Sequence, residues 1–255
     1  MRPDIFELES FYATPLGRRV AVALRRALAD LVPDLAARDG LALGYPLPLL
    51  APEDRFAVVM PHGQGARAHG PRGNRVVLAR EDALPFDDRT FECALLVHVL
   101  EHAARPERLL REVWRVLVDG GLLVVAVPNR HGLWCLGEHT PFGHGRPLTA
   151  GALRALLRAQ LFEPCGETRA LFWPPLPRGI PERVAVAADR LGRRLLGEVS
   201  GIVLEAAEKR VALAPTVTAE RRRGVYVRLP AALAGGHPRT GSATRDGTAR
   251  TGRRD

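Results

Sequence analysis

Lysine is almost absent from this 255-residue chain, Lys209 being the only one, so the formal net charge of +9 rests on arginine. Aromatic residues make up only 5%, which leaves few platforms on which the bases of a single strand could stack. The arginines suit phosphate chemistry, but they are scattered along the chain, and that dispersal argues against a nucleic-acid partner. Cysteine is scarce too. Cys93, Cys135 and Cys165 are odd in number and widely spaced, a pattern that suggests neither a disulfide framework nor a structural zinc site. No metal site is expected, since His131, His139 and His144 lack ligand spacing and an acidic companion. No apolar run reaches the length of a membrane span, and the N-terminus does not read as a secretion signal. These absences place the protein in the cytoplasm, with no membrane partner.

What remains is ample apolar material, 46% of residues, enough for one sizeable α/β domain. The apolar positions Leu16, Val20, Leu24, Leu28 and Leu31 predict a helix over 14–31, with Thr14 as cap and Pro15 in the first turn. Short apolar runs at 40–44, 56–60 and 75–78 predict strands. The run 94–97 and the run 122–127 are apolar throughout, and between them Leu109, Leu110, Val113, Trp114 and Leu117 define a helix over 106–118, stopped by Asp119-Gly120-Gly121. Strand, helix and strand in this order form a βαβ unit with a covered parallel sheet. A helix capped by Thr149 follows. Further strands are expected at 169–173, from 202, and at 224–229, with a helix from Pro181 whose apolar face is Val184, Ala188, Leu191 and Leu195. Residues 231–255 lack apolar content and read as a disordered tail behind a domain of residues 1–230. The fold class is therefore α/β, Rossmann-like: a mostly parallel central sheet with helices on both faces.

Three motifs in the middle of the chain carry a more specific signal. Leu84-Pro85-Phe86 lies in the loop before a strand. That strand leads into His98-Val99-Leu100-Glu101-His102. The helix that follows ends in Arg115-Val116-Leu117-Val118-Asp119-Gly120-Gly121. Their order and spacing over residues 82–128 resemble the class I, S-adenosylmethionine-dependent methyltransferases of the small-molecule type. The resemblance implies a cofactor, S-adenosylmethionine, held at the carboxyl ends of the strands. It implies that Gly44 begins the turn that admits the cofactor, that Asp82 and Ala83 lie near its adenine, and that His98 faces the reacting methyl as the candidate base. Glu101 and His102 match the family's Glu-His pair. The loops after the fifth strand would bind the acceptor through Asn129, Arg130, His144 and Arg146.

The same comparison exposes departures. Ala42 stands where the family carries an acid. Pro46 and Pro48 replace glycines, each removing a backbone donor and fixing φ. The second strand ends at Met60-Pro61 without the ribose-binding acid, and little room is left for a helix between the first two strands. Two readings follow: a methyltransferase acting on a small acceptor, or a non-catalytic methyltransferase-like protein that serves as a partner or regulatory scaffold. The pair Phe11-Tyr12 reads as a hydrophobic staple for the first helix or as a lid over the cleft.

Overall fold

The computed structural model describes residues 2–69, 74–137, 139–176 and 180–211. The expected strand at 224–229, the domain limit at 230 and the tail at 231–255 lie outside the described residues.

Two helices precede the sheet. α1 (Ile5–Ala13) starts at Asp4, whose carboxylate accepts from the Glu7 amide while the Glu7 side chain accepts from the Asp4 amide. This reciprocal pair satisfies two otherwise orphaned donors. α1 is an addition to the elements expected from the sequence. It absorbs Phe11 and Tyr12, so those residues do not precede the first helix. α2 (Pro15–Leu31) follows as expected, with the Thr14 hydroxyl accepting from the Gly17 amide.

The sheet has seven strands: β1 (Gly40–Gly44), β2 (Phe56–Pro61), β3 (Val76–Ala79), β4 (Phe91–Val97), β5 (Leu117–Pro128), β6 (Phe162–Ala170) and β7 (Ile202–Lys209). Their order is β3-β2-β1-β4-β5-β7-β6. The first five are parallel, and β7 runs antiparallel between β5 and β6. The Rossmann-like α/β class expected from the sequence is thus the observed one. Alternate residues of the central strands feed two cores. Ala42, Val58, Leu95 and Val124 face α1 and α2. Leu43, Val59, Leu96 and Val125 face α3 (Pro106–Val116) and α4 (Ala150–Ala159). The period of two explains why runs that look uniformly apolar in sequence divide cleanly between two helical layers.

Three expectations are corrected by the structure, and one, the lack of room for a helix between the first two strands, is met. α3 ends at Val116, and β5 already begins at Leu117. Residues 118–121 form an excursion within that pairing, since Phe91 opposes Leu117 but Cys93 opposes Leu122. The strand expected at 169–173 is instead β6, from Phe162 to Ala170. Its charged residues and Pro164 hide it in the sequence. They are tolerated because β6 is an edge strand with a register shift at Pro164. No helix joins β1 to β2. Turns over residues 45–55 carry the crossover, with Leu49 and Leu50 buried in the core on the α2 side. Lastly, α5 (Glu182–Leu195) buries Ala185, Asp189 and Gly192. Three of the four residues of its expected apolar face point outward, Val184, Leu191 and Leu195 being 52%, 59% and 69% exposed, while Ala188 packs against the core. The reason is local. The Asp189 carboxylate accepts from the Phe172 amide, and a Cβ on Gly192 would sit 2.2 Å from the Phe172 ring.

Candidate cofactor site

The strand order reverses between β1 and β4, and in an open parallel sheet a crevice for ligands forms at that point, at the carboxyl ends of the strands. Gly44 and Val97 are register partners there. Gly44 has φ +90°, and a Cβ on it would lie 2.0 Å from the Val97 carbonyl oxygen. The next amide, Tyr45 N–H, donates to that same oxygen at 2.9 Å. Only glycine permits so close an approach at that angle. Pro46 then accepts from the Leu49 amide, closing a turn.

His98 follows β4 with φ +54°, an uncommon conformation for a residue with a side chain, costing on the order of 1–3 kcal/mol. Its imidazole is buried and meets Tyr12, 86 residues earlier, with 2.8 Å between Nε2 and the hydroxyl. The His98 ring lies 5.0 Å from that of Phe142, and the Tyr12 ring 5.8 Å from that of Tyr45. Burial, with Tyr45 and Glu101 nearby, raises the Tyr12 phenol well above its ordinary range, so it stays neutral. Burial likewise pushes Tyr45 up to about 12. Beneath this cluster the Glu101 carboxylate stands 3.6 Å from His98 Nδ1 and 3.9 Å from His102 Nε2. Both Glu101 oxygens and those two ring nitrogens are buried without a hydrogen-bond partner among the described residues.

His102 is pushed down to about 4, chiefly by burial, which outweighs the opposing pull of Glu101. Its folded value lies below the ordinary 6.5, so the unfolded chain binds the proton first. The contribution of His102 to stability is therefore complete above about pH 6.5 and is lost as the pH falls towards 4. We expect the thermal midpoint of the His102→Gln variant to fall less over that window than the midpoint of the parent. Equal slopes would contradict this assignment.

A second part of the crevice lies at the ends of β2 and β3. Pro61, His62, Gly63, Glu81, Asp82 and Arg105 help line a cavity of about 320 Å³. Asp82 receives Arg80 Nε at 2.9 Å and a second guanidinium nitrogen at 3.1 Å. That hydrogen-bonded partner lowers the Asp82 carboxyl below its usual range. A carboxylate has about four lone-pair sites, so two remain for a ligand. Ala83 is exposed beside it. The β2 end carries no acid, but Glu81, tied to Arg2, reaches the same cavity.

The residues expected to hold the acceptor separate. Asn129 is buried, and its side-chain amide donates to the Glu198 and Ser200 carbonyls while its oxygen accepts from the His131 amide. It fastens the end of β5 to the start of β7, which leaves it no group for an acceptor. Arg130 and Arg146 are exposed and His144 is half-buried. The Arg146 amide donates to the Glu101 carbonyl, which brings its loop to the Glu-His segment. Sequence reading missed Tyr12 as the partner of His98, and Glu81 in the cavity. For Tyr12 the signal was the Phe11-Tyr12 pair itself, which reads as a lid over the cleft but does not point to His98 as its partner.

Would S-adenosylmethionine fit these residues? At the β2–β3 end a concave space and an acceptor carboxylate suit an adenosine. At the β1–β4 end Tyr12, Tyr45 and Phe142 fill the crevice, while the orphaned Glu101 and His98 atoms beneath them suit a polar ligand. The residues of the β2–β3 end therefore suit the cofactor, while the β1–β4 end is occupied by Tyr12 and Tyr45.

Comparison with known proteins bears on the same region. Residues 61–125 match a family described as a methyltransferase domain. A Mycobacterium tuberculosis protein described as a probable S-adenosylmethionine-dependent methyltransferase is 33% identical over 165 residues, 61% of this chain and 56% of the relative. The chain thus spans little more than half the length of that relative. A ubiquinone/menaquinone biosynthesis C-methyltransferase of Citrobacter koseri is 42% identical over 57 residues, 22% of this chain and 23% of that protein. Among solved structures, a SAM-dependent methyltransferase from Thermotoga maritima superposes with a TM-score of 0.57 at 20% identity, covering 81% of this chain and 96% of its own. That likeness concerns the fold.

Proposed function

We propose that this chain, a member of the class I S-adenosylmethionine-dependent methyltransferase family, transfers the methyl group of that cofactor to a small-molecule acceptor. The reading rests on one juxtaposition: the conformationally constrained His98 and the Asp82 cavity flank the crevice at the strand-order reversal. When bound, the cofactor supplies an electrophilic methyl group. The protein's part is then alignment, which for an oriented pair of reactants accounts for much of the rate.

Asp82 accepts a hydrogen bond from the adenine end, beside Ala83. Gly44 lets the chain pass tightly over β4. His98 stands at the β4 end, where a proton from a hydroxyl or amine acceptor can be taken up. Tyr12, held neutral, orients that imidazole through Nε2. Arg130, His144 and Arg146 belong to the loops after β5, and their side chains suit an anionic acceptor. Among the described residues no helix is long and apolar enough to cross a membrane, and we place the protein in the cytoplasm.

The packing of Tyr12, Tyr45 and Phe142 across the crevice favours a second reading, a non-catalytic protein of the same fold that acts through a protein partner. Release of S-adenosylhomocysteine in the presence of fractionated small-molecule extract separates the two. The transferase reading expects release above the no-extract background, reduced at least about a hundredfold in the His98→Ala variant, the low end for loss of a positioned acid–base group. Release equal to background for every fraction would leave the partner reading.

A further inference from the structure

Three side chains at the end of β4 hold polar atoms with nothing to bond. His98 Nδ1, His102 Nε2 and both Glu101 oxygens are buried without a hydrogen-bond partner among the described residues. All three side chains are only 1% exposed, so bulk solvent does not reach these atoms. Leaving four buried polar groups unmatched is costly and rare in folded proteins. The four stand together: Glu101 Oε1 is 3.6 Å from His98 Nδ1 and 3.9 Å from His102 Nε2. A shift of roughly 1 Å brings either contact into the range of an N–H···O bond. One placement of protons then satisfies every atom: each histidine donates one N–H, and each carboxylate oxygen accepts one.

A neutral imidazole carries its proton on one of two nitrogens, and the partners of the ring decide which. At His98 Nε2 the partner is the Tyr12 hydroxyl, 2.8 Å away. A hydroxyl can turn to donate or to accept, so Tyr12 tolerates either form. At Nδ1 the partner is Glu101. It acts on its neighbours as a negative charge, raising Tyr12 and opposing the fall of His102, and a carboxylate in that state only accepts. A lone pair on Nδ1 would face it across 3.6 Å with no proton between them. The carboxylate therefore decides where the hydroxyl cannot. Its place is fixed locally. Glu101 lies three residues after His98, on the short 3-10 turn Leu100–His102, and its carbonyl accepts from the Arg146 amide.

We propose that Glu101 is a positioning residue: it holds His98 in the Nδ1–H form, so that Nε2 carries the lone pair and is the nitrogen that takes up the acceptor's proton. His102 completes the arrangement in its Nε2–H form. The Tyr12 O–H donates to that same His98 nitrogen in the structure, so an acceptor has to bring an O–H or N–H that takes its place. When Nε2 accepts the proton, the electron pair of the broken bond stays on the acceptor atom. The ring becomes an imidazolium, and the carboxylate behind it offsets the new charge. The role assigned to Glu101 rests on the reading of His98 as the base, whereas the two tautomers follow from the buried contacts alone.

Nitrogen-15 NMR of the imidazoles in the full chain at neutral pH reads these tautomers directly and needs neither cofactor nor acceptor. The His98→Gln and His102→Gln variants identify the two signals among the eight histidines. In the parent protein His98 should carry its proton on Nδ1 and His102 on Nε2. In the Glu101→Gln variant the ratio of Nδ1–H to Nε2–H at His98 should fall at least about tenfold, the equivalent of one charge-assisted hydrogen bond. Tyr12→Phe should leave the Nδ1–H form in excess. A merely structural glutamate would change stability on substitution but not this ratio. The proposal is overturned by an Nε2–H form of His98 in the parent, a result that stands even where Glu101→Gln does not fold. It is overturned equally by an unchanged ratio in folded Glu101→Gln, or by a switch of tautomer in Tyr12→Phe. The transferase reading fails separately: a parent with His98 in the Nδ1–H form that binds no S-adenosylmethionine would end that reading and leave the Glu101 pairing in place.

Discussion

Replacing Gly44 with alanine is expected to cost at least about 3 kcal/mol. Two costs combine. The backbone at φ +90° is a region that side-chain-bearing residues avoid. The added methyl would also lie 2.0 Å from the Val97 carbonyl oxygen and 2.9 Å from the Val99 side chain. Neither neighbour can retreat, because Val97 sits in the central strand β4 and its carbonyl holds the Tyr45 amide. In a domain of this size each kilocalorie shifts the thermal midpoint by about 2–4 °C, so a fall of roughly 6 °C or more is expected. Two other glycines calibrate the measurement. Gly63→Ala meets nothing within 4 Å and should be close to neutral. Gly120→Ala also meets open space, but at φ +73°, and should cost about 1–2 kcal/mol from conformation alone. If all three behave alike, the close approach of β1 to β4 is not what constrains Gly44.

Trp134→Ala should be comparably damaging. Trp134 heads the fully buried side chains by size. Its indole N–H donates to the Trp173 carbonyl at 2.6 Å, and its ring meets Phe142 and Trp173 edge to face, with centroids 5.6 and 4.9 Å away. Phe142 in turn lies against His98, so Trp134 links the switch point to the segment that leads to α5. Removing the ring costs about 3–5 kcal/mol by cavity formation, and the orphaned Trp173 carbonyl adds about 1–3 kcal/mol. Trp114 is the contrast: it is half-buried, with the Lys209 ammonium 4.0 Å from its ring centroid. Trp114→Phe should cost less than about 1.5 kcal/mol. Urea denaturation of both variants checks the ranking, and a Trp134→Ala protein as stable as Trp114→Phe would refute it.

The parts of this molecule that announce themselves in sequence are those where one physical signal dominates. The βαβ unit is visible because residues 94–97 and 122–127 are apolar without interruption, and the helix between them carries one clean face. β6 is obscured because an edge strand tolerates Glu163, Pro164 and Glu167. α1 was discoverable from the Asp4–Glu7 pair, which forms a capping box, but its short apolar stripe of Ile5, Leu8 and Tyr12 was masked by the exposed Phe6. In α5 the leucine-rich stripe is the more hydrophobic, yet burial is decided by a hydrogen bond and a glycine contact with Phe172, which no helical projection contains.

The candidate site divides along the same line. Gly44, Asp82 and His98 belong to strand ends, and the fold places them where strand order predicts. Asn129 looked like an acceptor ligand because it follows β5. The partners that occupy its amide lie at Glu198 and Ser200, about 70 residues away, beyond the reach of local pattern. Tyr12 was hidden for the same reason. Its partner His98 is brought to it only when α1 packs over the sheet, and that contact changes the site most, because it sets the aromatic cluster across the crevice.

Whether those aromatic side chains yield to the cofactor is the central question, and calorimetric titration of the folded protein with S-adenosylmethionine and S-adenosylhomocysteine addresses it most directly. A working site predicts micromolar binding, weakened roughly 10- to 100-fold in the Asp82→Ala variant, the equivalent of one charge-assisted hydrogen bond. No heat of binding at near-millimolar ligand, with the protein folded, would contradict the transferase account and leave a methyltransferase fold whose crevice is closed by its own tyrosines.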